Sequence, residues 1–365
     1  MKISDILQFL ETIAPPRLQE SYDNAGLLVG DKEKKCSGIL ISLDVTEAVI
    51  DEAIQKNCNL IVAHHPVIFR GIKKLTGNNF VERTVILAIK KEIAIYAIHT
   101  NLDNVLHGVN KKIAEKLNLQ NCKILQPKEG TLKKLVTFAP SKNAAEVRDA
   151  LFDAGAGAIG NYNECSFNLE GKGTFKPLEG SDPFTGKIGE RHWEEEVRIE
   201  VIFPEYFQHQ LINSLKKAHP YEEVAYDIYS LSNVRDDVGS GLIGELEEST
   251  ATKQFLNILK EQFGVPAIKH TKIEKNEIKK VALCGGAGFF LLSKAISAGA
   301  DIFITSDIKY HEYFDADNRI LLADIGHYES EQFTIELIAE ILQKKIPNFA
   351  VLKTEINTNP VSYYI

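Results

Sequence analysis

Residues 38–43 (GILISL), 60–63 (LIVA) and 94–98 (AIYAI) are three short apolar runs rich in β-branched side chains. Between them, residues 47–56 and 81–91 space their apolar side chains at helical intervals. Strands that are apolar on both faces and separated by helices belong to a parallel or mixed sheet covered on both sides. The alternation returns at 280–284 (KVALC), 301–305 (DIFIT) and 320–323 (ILLA), with helical stretches at 289–298 and 330–344. The expected fold class is therefore α/β, with a discontinuous domain whose mixed sheet is covered by helices.

The residues between these two groups follow another order. Residues 135–139 (LVTFA), 164–169, 196–203 and 222–229 have strand patterns, while 144–154 and 205–218 have helical ones. Strand-helix-strand twice over is the order of a ferredoxin-like α+β unit. Gly-, Pro- and charge-rich loops are expected at 170–191 and 231–241. The expected organisation is one domain built from 1–127 and 235–365, with a second domain, 128–234, inserted between its halves. At the N-terminus, MKISDILQFLETIAPP reads as an amphipathic helix with Ser4 as N-cap, ended by Pro15 and Pro16.

Composition excludes several classes. With 365 residues, 44% hydrophobic and 25% charged, the chain has the make-up of a packed globular protein rather than a disordered or fibrous one. Its 42 Lys and Arg against 50 Asp and Glu leave a net charge of −8, so bulk electrostatics does not attract nucleic acid or an anionic membrane. The five cysteines are scattered and form no C-x-x-C pair, which points to a reducing compartment and away from a thiolate zinc site. The N-terminal helix lacks a basic n-region and a continuous apolar core, and no run of about 18 apolar residues occurs. A cytoplasmic location without a membrane span is expected.

Three polar segments fall just past the C-terminal ends of expected strands. They are His64-His65-Pro66, the run from His99 to Asp103 (HTNLD), and the run from Asp324 to Glu331 (DIGHYESE). In α/β sheets the loops at strand C-ends converge on one crevice, so segments distant in sequence can meet there. Pro66 ends its strand, which frees His64 and His65 from pointing to opposite faces. His327 and Glu331 stand four residues apart at a helix start, on one face, behind a glycine that permits an unusual φ. Three imidazoles, Asp103 and Glu331 are too many ligands for one tetrahedral ion with an open position. They suit two divalent ions about 3.5–4 Å apart. Nitrogen and oxygen donors without thiolate favour Zn, with Mn, Fe or Co as alternatives.

Other residues take a plainer reading beside a functional one. His192, His209 and His270 lie in charged or helical surface stretches, while His107 and His311 are candidates for supporting or substrate contacts. Gly285-Gly286-Ala287-Gly288 could cradle a phosphate or simply form a tight strand-to-helix turn. Asp44 could orient a ligand histidine or cap a helix. Ser306 and Asp307 stand near the crevice without an assigned base. Tyr221, Glu222 and Glu223 in HPYEEVAY could serve a small ligand, a subunit interface or only a solvated strand end.

The HHP, HTNLD and GHYESE segments closely resemble the NIF-three family (NGG-interacting factor three). The resemblance extends through 22–30 (YDNAGLLVG), 284–289 (CGGAGF), 300–311 (ADIFITSDIKYH) and 357–360, covering both outer segments. It implies two metal ions per subunit held by residues matching His64, His65, Asp103, His327 and Glu331, with no departure at any of the five. It also implies a toroidal homohexamer whose metal sites face an inner cavity. Longer members carry an insert similar to nitrogen-regulatory PII and CutA proteins, and residues 155–165 and 219–226 look like that insert. Bacterial members are called GTP cyclohydrolase 1 type 2 homologs, which implies GTP, opened hydrolytically at the guanine imidazole ring. The expected activity is therefore metal-dependent hydrolysis of a nucleotide or related small molecule by metal-bound water, with Glu331 and Asp103 as possible helpers. The alternative is a non-catalytic regulatory or scaffold protein that uses metal to fasten distant segments while its PII-like insert senses a small ligand or partner.

Overall fold

The computed structural model describes residues 1–364, which divide into two compact units: 1–127 joined with the chain from 236 onward, and 128–235. The first segment carries α1 (Ile3–Ile13), β1 (Gly26–Val29), β2 (Ile39–Ser42), α2 (Glu47–Gln55), β3 (Leu60–Ala63) and α3 (Phe80–Lys90). β4 (Ala94–Ala97), α4 (Thr100–Asp103), α5 (Val109–Lys116) and β5 (Gln120–Pro127) complete it. The middle unit consists of β6 (Leu132–Pro140), α6 (Ala144–Asp153), β7 (Phe167–Phe175), β8 (His192–Pro204), α7 (Gln208–Ala218) and β9 (Tyr226–Ser230). The last segment begins with β10 (Gly239–Ala251), α8 (Thr252–Phe263), β11 (Lys269–His270), β12 (Glu277–Leu283) and α9 (Leu292–Ser297). It ends with β13 (Ile302–Thr305), β14 (Leu321–Asp324), α10 (His327–Glu331), α11 (Thr334–Lys345) and β15 (Val351–Lys353).

The single mixed sheet expected for the discontinuous unit is in fact two. One has the order β1-β4-β3-β2-β15 and the other β11-β14-β13-β12-β10-β5. Each contains a parallel trio, β2-β3-β4 and β12-β13-β14, and these trios are the runs whose apolarity is legible in the sequence. Chain halves cross over at the edges: C-terminal β15 joins β2 in parallel, and β5 pairs antiparallel with β10. Alternation within each trio explains the layering. Ile39, Ile41, Leu60 and Val62 share one core with Val281, Leu283, Ile302 and Ile304 of the other sheet and with α1, α5, α8 and α11. The intervening residues Leu40, Ile61, Ala63 and Ile95 pack outward under α2 and α3. Ala282, Phe303 and Leu322 do the same under α9. Helices therefore lie between the two sheets and outside each.

Three local expectations change. α1 begins before Ser4, because the Ile3 and Ser4 amides donate to the Lys34 and Lys32 carbonyls and Asp5 accepts from the Lys2 amide at 2.8 Å. The helix expected from 289 is shorter, with one 3-10 turn (Phe289–Leu291) leading into α9. The first part of the loop expected at 170–191 is strand: β7 runs to Phe175, in a stretch too polar on both faces to show a pattern, and β8 starts at His192 directly after the loop.

The middle unit has the strand order β7-β8-β6-β9, entirely antiparallel, with helices after its first and third strands. Leu135, Ala139, Ile199, Val201 and Phe203 alternate onto one face and pack against Val147 and Leu151 of α6 and Leu211 and Leu215 of α7. This core is separate and is complete within the unit. Among the described residues, no helix is long and apolar enough to cross a membrane.

Candidate metal centre

The parallel trios place their C-terminal ends around one site in the discontinuous unit. From β2, β3 and β4 come Asp44, His64 with His65, and His99 with Asp103; from β13 and β14 come Asp307 and, after α10 begins, His327 and Glu331. All five expected ligands meet there. The His65 and His327 rings lie 5.2 Å apart, and those of His64 and His65 lie 4.9 Å apart. Ligand atoms of His65, His327 and Glu331 lie within 4.8 Å of one another, as do those of His64, Asp103 and Glu331. Glu331 is common to both groups. Its Oε2 faces His65 Nε2 at 2.9 Å and His327 Nε2 at 3.1 Å, while Oε1 faces His64 Nε2 at 3.8 Å.

Each imidazole is tied by Nδ1 and presents Nε2 to the centre. His64 Nδ1 lies 2.9 Å from the Ile98 carbonyl, so it donates there and Nε2 is left as the acceptor. His65 Nδ1 lies 2.8 Å from Asp44, and His327 Nδ1 lies 2.5 Å from Asp307. Asp44 is thus an orienting carboxylate rather than a cap; Thr46 caps α2, its Oγ1 accepting from the Val49 amide. A fourth imidazole, His99, was legible as a strand-end histidine but not as part of the cluster. Its Nδ1 lies 2.7 Å from Asp23, and its ligand atom falls within 4.8 Å of those of His64 and His65. Asp23 is held in turn by the Thr100 amide at 3.0 Å and by the Thr100 hydroxyl.

Two atoms are left without partners. His64 Nε2 and Asp103 Oδ1 are buried and make no hydrogen bond, although they stand 3.7 Å apart. That gap is too long for a hydrogen bond. It is close to the roughly 3.3 Å edge of a tetrahedron with bonds of 2.0–2.2 Å to a common ion. A buried acceptor facing a buried carboxylate is costly unless a cation lies between them. Imidazoles fixed through Nδ1 by a carboxylate or carbonyl are also the usual support of metal-binding histidines. The donor set therefore fits divalent cations. Gly286 makes room for it: φ is +62°, and a Cβ there would stand 2.3 Å from Glu331 Oε1.

The electrostatics of the metal-free protein follow from burial and pairing. Burial holds the His64 pKa below its ordinary value. Burial also opposes charge on His65 and His327, but carboxylate partners outweigh it. Asp44 and Glu331 bring His65 to about 9, and Asp307 and Glu331 bring His327 to about 11. Burial and the neighbouring Glu331 push Asp103 well up, whereas Glu331, buried too, is held well below the carboxylate range by His327, His64 and His65. Both raised histidines must lose protons to ligate, so apparent metal affinity should climb from pH 6 to 9. The metal-free protein should move oppositely: the stabilisation from protonated His65 and His327 is complete below their unfolded pKa near 6.5 and is lost as pH rises through 9 and 11. The melting-temperature gap between metal-loaded and metal-free protein should accordingly widen as pH rises; a constant gap would contradict this account.

Asp44→Asn should keep the hydrogen bond to His65 but remove the charge behind it. We expect metal affinity, measured by chelator competition, to fall about 10-fold or more. An affinity equal to that of the parent would show that Asp44 does not support His65 as a ligand.

A cavity of about 380 Å³ opens in front of the cluster, lined by His65, His99, Asp103, His327 and Glu331 and flanked by Tyr22, Phe69 and Phe290. The Cys284 thiol also lines it, and burial pushes its pKa up, away from thiolate. The glycine turn does not present a phosphate cradle: the amides of Gly285, Gly286 and Gly288 donate to Asn110, Ser330 and Thr305. His107 and His311 are exposed on the surface and do not line this cavity. His192, expected to be solvated, is half-buried and lies 2.8 Å from Glu194. The Ser306 hydroxyl is buried without a hydrogen-bond partner.

The sequence profile of the family described as Duf34/NIF3 (NGG1p interacting factor 3) matches residues 1–360. A Halalkalibacterium halodurans protein named GTP cyclohydrolase 1 type 2 homolog is 39% identical over 371 aligned residues, covering 100% of each chain. The Bacillus subtilis protein of the same name is 38% identical, over 98% of this chain and 97% of its own. A solved Bacillus cereus protein described as related to NIF3 superposes with a TM-score of 0.85 at 38% identity, over 100% of this chain and 99% of that one. On a profile match over residues 1–360 and on these relatives, this chain belongs to the Duf34/NIF3 family.

Proposed function

We propose that the chain is a metal-dependent hydrolase with a dinuclear centre, one ion on His65, His327 and Glu331 and the other on His64, Asp103 and Glu331. The observation that carries this reading is the pair of orphaned donors, His64 Nε2 and Asp103 Oδ1, both buried, beside an open cavity that Asp103 lines. Two divalent ions, Zn on the donor chemistry, would supply Lewis acidity and a water activated near neutral pH. The chain's own part is to keep four Nε2 atoms aimed inward through Asp44, Asp307, Asp23 and the Ile98 carbonyl. Asp103 and Glu331 are the carboxylates positioned to take a proton from an attacking water. Tyr22 and Phe69, with ring centroids 6.3 Å apart, offer flat faces to a planar ring. With the relatives' name, GTP cyclohydrolase 1 type 2 homolog, this makes a nucleotide such as GTP the substrate to test first.

The same reading takes the middle unit as an inserted, PII/CutA-like ferredoxin-like domain, on its strand order, and the assembly as a homohexamer with the centres facing an inner cavity. Five free thiols accord with a cytoplasmic location. The test is elemental analysis of untagged protein followed by turnover of GTP and phosphodiesters before and after chelation. We expect two ions per chain, turnover by the loaded form, and folded but inactive protein once stripped. A fully loaded protein that turns over none of these substrates would overturn the enzymatic reading in favour of a structural metal site.

A further inference from the structure

The middle unit contains a cavity of its own, about 470 Å³, which shares no residue with the metal centre. The Phe138, Phe175, Phe184 and Tyr221 side chains line it. The Tyr221 ring stands 5.9 Å from Phe175 and 6.1 Å from Phe184, at tilts of 58° and 54°, so the three rings form a corner rather than a stack. Cavities of this size with aromatic walls and a few convergent polar groups are the usual form of a small-molecule site.

The charged groups that line it are mostly of one sign. Glu196, Glu222 and Glu223 line the cavity against one lysine, Lys176. The carboxylate of Glu196 lies over Gly173, where a Cβ would come within 2.1 Å of Oε2, and Oε1 accepts from the Tyr221 hydroxyl at 2.9 Å. Glu222 accepts from the Asp182 amide at 3.0 and 3.2 Å, joining the loop before β8 to the turn that carries Tyr221. Two of the rings already hold a cation of the chain: Lys142 Nζ lies 4.7 Å from the Phe184 centroid, and the Arg198 guanidinium lies 6.0 Å from that of Phe138. Ring faces and carboxylates both attract positive charge and repel negative charge. A phosphate or carboxylate ligand is therefore disfavoured.

We propose that this cavity binds an organic cation, a protonated amine carried on an aromatic body. The apolar body enters among the rings, and the ammonium meets Glu196 beside the Tyr221 hydroxyl. The site is independent of the metal centre and of any reaction there.

The full-length protein would be titrated at pH 7 with phenethylamine, 2-phenylethanol and phenylacetate, which share one ring and differ in charge. Calorimetry would follow binding. We expect saturable binding of the amine with a dissociation constant below about 1 mM, at least ~10-fold weaker binding of the alcohol, and no binding of the carboxylate. Glu196→Gln should weaken the amine ~10-fold while leaving the alcohol nearly unchanged. Glu223→Gln, at an exposed position, should weaken the amine about 3-fold and keeps the test valid if the first variant misfolds. Equal binding of all three probes overturns the proposal. So does unchanged amine binding in a folded Glu196→Gln protein, or no saturable binding of the amine up to about 10 mM.

Discussion

Glu331→Gln will leave the chain folded and strip it of nearly all its metal. Gln keeps the volume and one carbonyl oxygen, so the packing of α10 against its neighbours has no reason to change. What disappears is the charge, together with the ability of two equivalent oxygens to serve two sides at once. In the parent, Oε2 stands 2.9 Å from His65 Nε2 and 3.1 Å from His327 Nε2, while Oε1 faces His64. Glu331 is 3% exposed, so water cannot replace it from outside without opening the site. Loss of an orienting partner costs metal sites roughly 10–100-fold in affinity, and loss of a bridging ligand costs more, on the order of 10³-fold. Elemental analysis should fall from the proposed two ions per chain to a small fraction of one. The same change should be visible without metal: His65 loses one of its two carboxylate partners and keeps Asp44, so its pKa drops from about 9 toward the ordinary histidine value. An NMR titration of the imidazole protons in stripped protein reads this directly. A variant that retains both ions, or in which His65 titrates as in the parent, removes Glu331 from the bridging position.

Why the ligands were legible and their supports were only partly so has a physical basis. β3 and β4 are apolar at every position because both faces are covered, and such runs end abruptly in polar residues. His64, His65 and Asp103 stand at or just beyond those ends, and the i, i+4 spacing of His327 and Glu331 needs only one turn of helix. Asp23 carries no such mark, lying in a loop 76 residues from the histidine it orients; Asp307 does stand at a strand end near the crevice, but 20 residues from His327, with nothing local to pair the two. The second sheet was hidden for a similar reason. β5 and β10 are long but largely polar, and β15 pairs with β2 from the other end of the chain. Pairing between distant edges leaves no periodicity in either strand, so local pattern revealed the trios but not their separation into two sheets.

Removing residues 128–235 and joining Pro127 to Asp236 through a short Gly-Ser linker should yield a folded, metal-loaded protein. The register of the flanking strands is the reason. β5 and β10 are antiparallel neighbours in which Pro127 stands opposite Gly239, so the two cut ends are already as close as the strands of a hairpin. Retaining Asp236 to Val238 preserves the Leu106 amide bond to the Asp237 carbonyl and the bridge between Val105 and Val238. These residues plus the linker make a loop of ordinary hairpin length. All the residues of the metal cluster, and the three cores that hold the two sheets and their helices, lie outside the deleted span. The deleted unit has its own core of Leu135, Val147, Ile199, Phe203 and Leu211, so it should fold when expressed alone. Chain entropy works in favour of the join, because halving a loop lowers its closure cost by about 0.6 kcal/mol. The joined protein should melt within a few degrees of the parent and bind two ions per chain. An insoluble or metal-free product with both a short and a longer linker would mean that the discontinuous unit depends on 128–235 for its fold, and the two-unit reading would have to be abandoned.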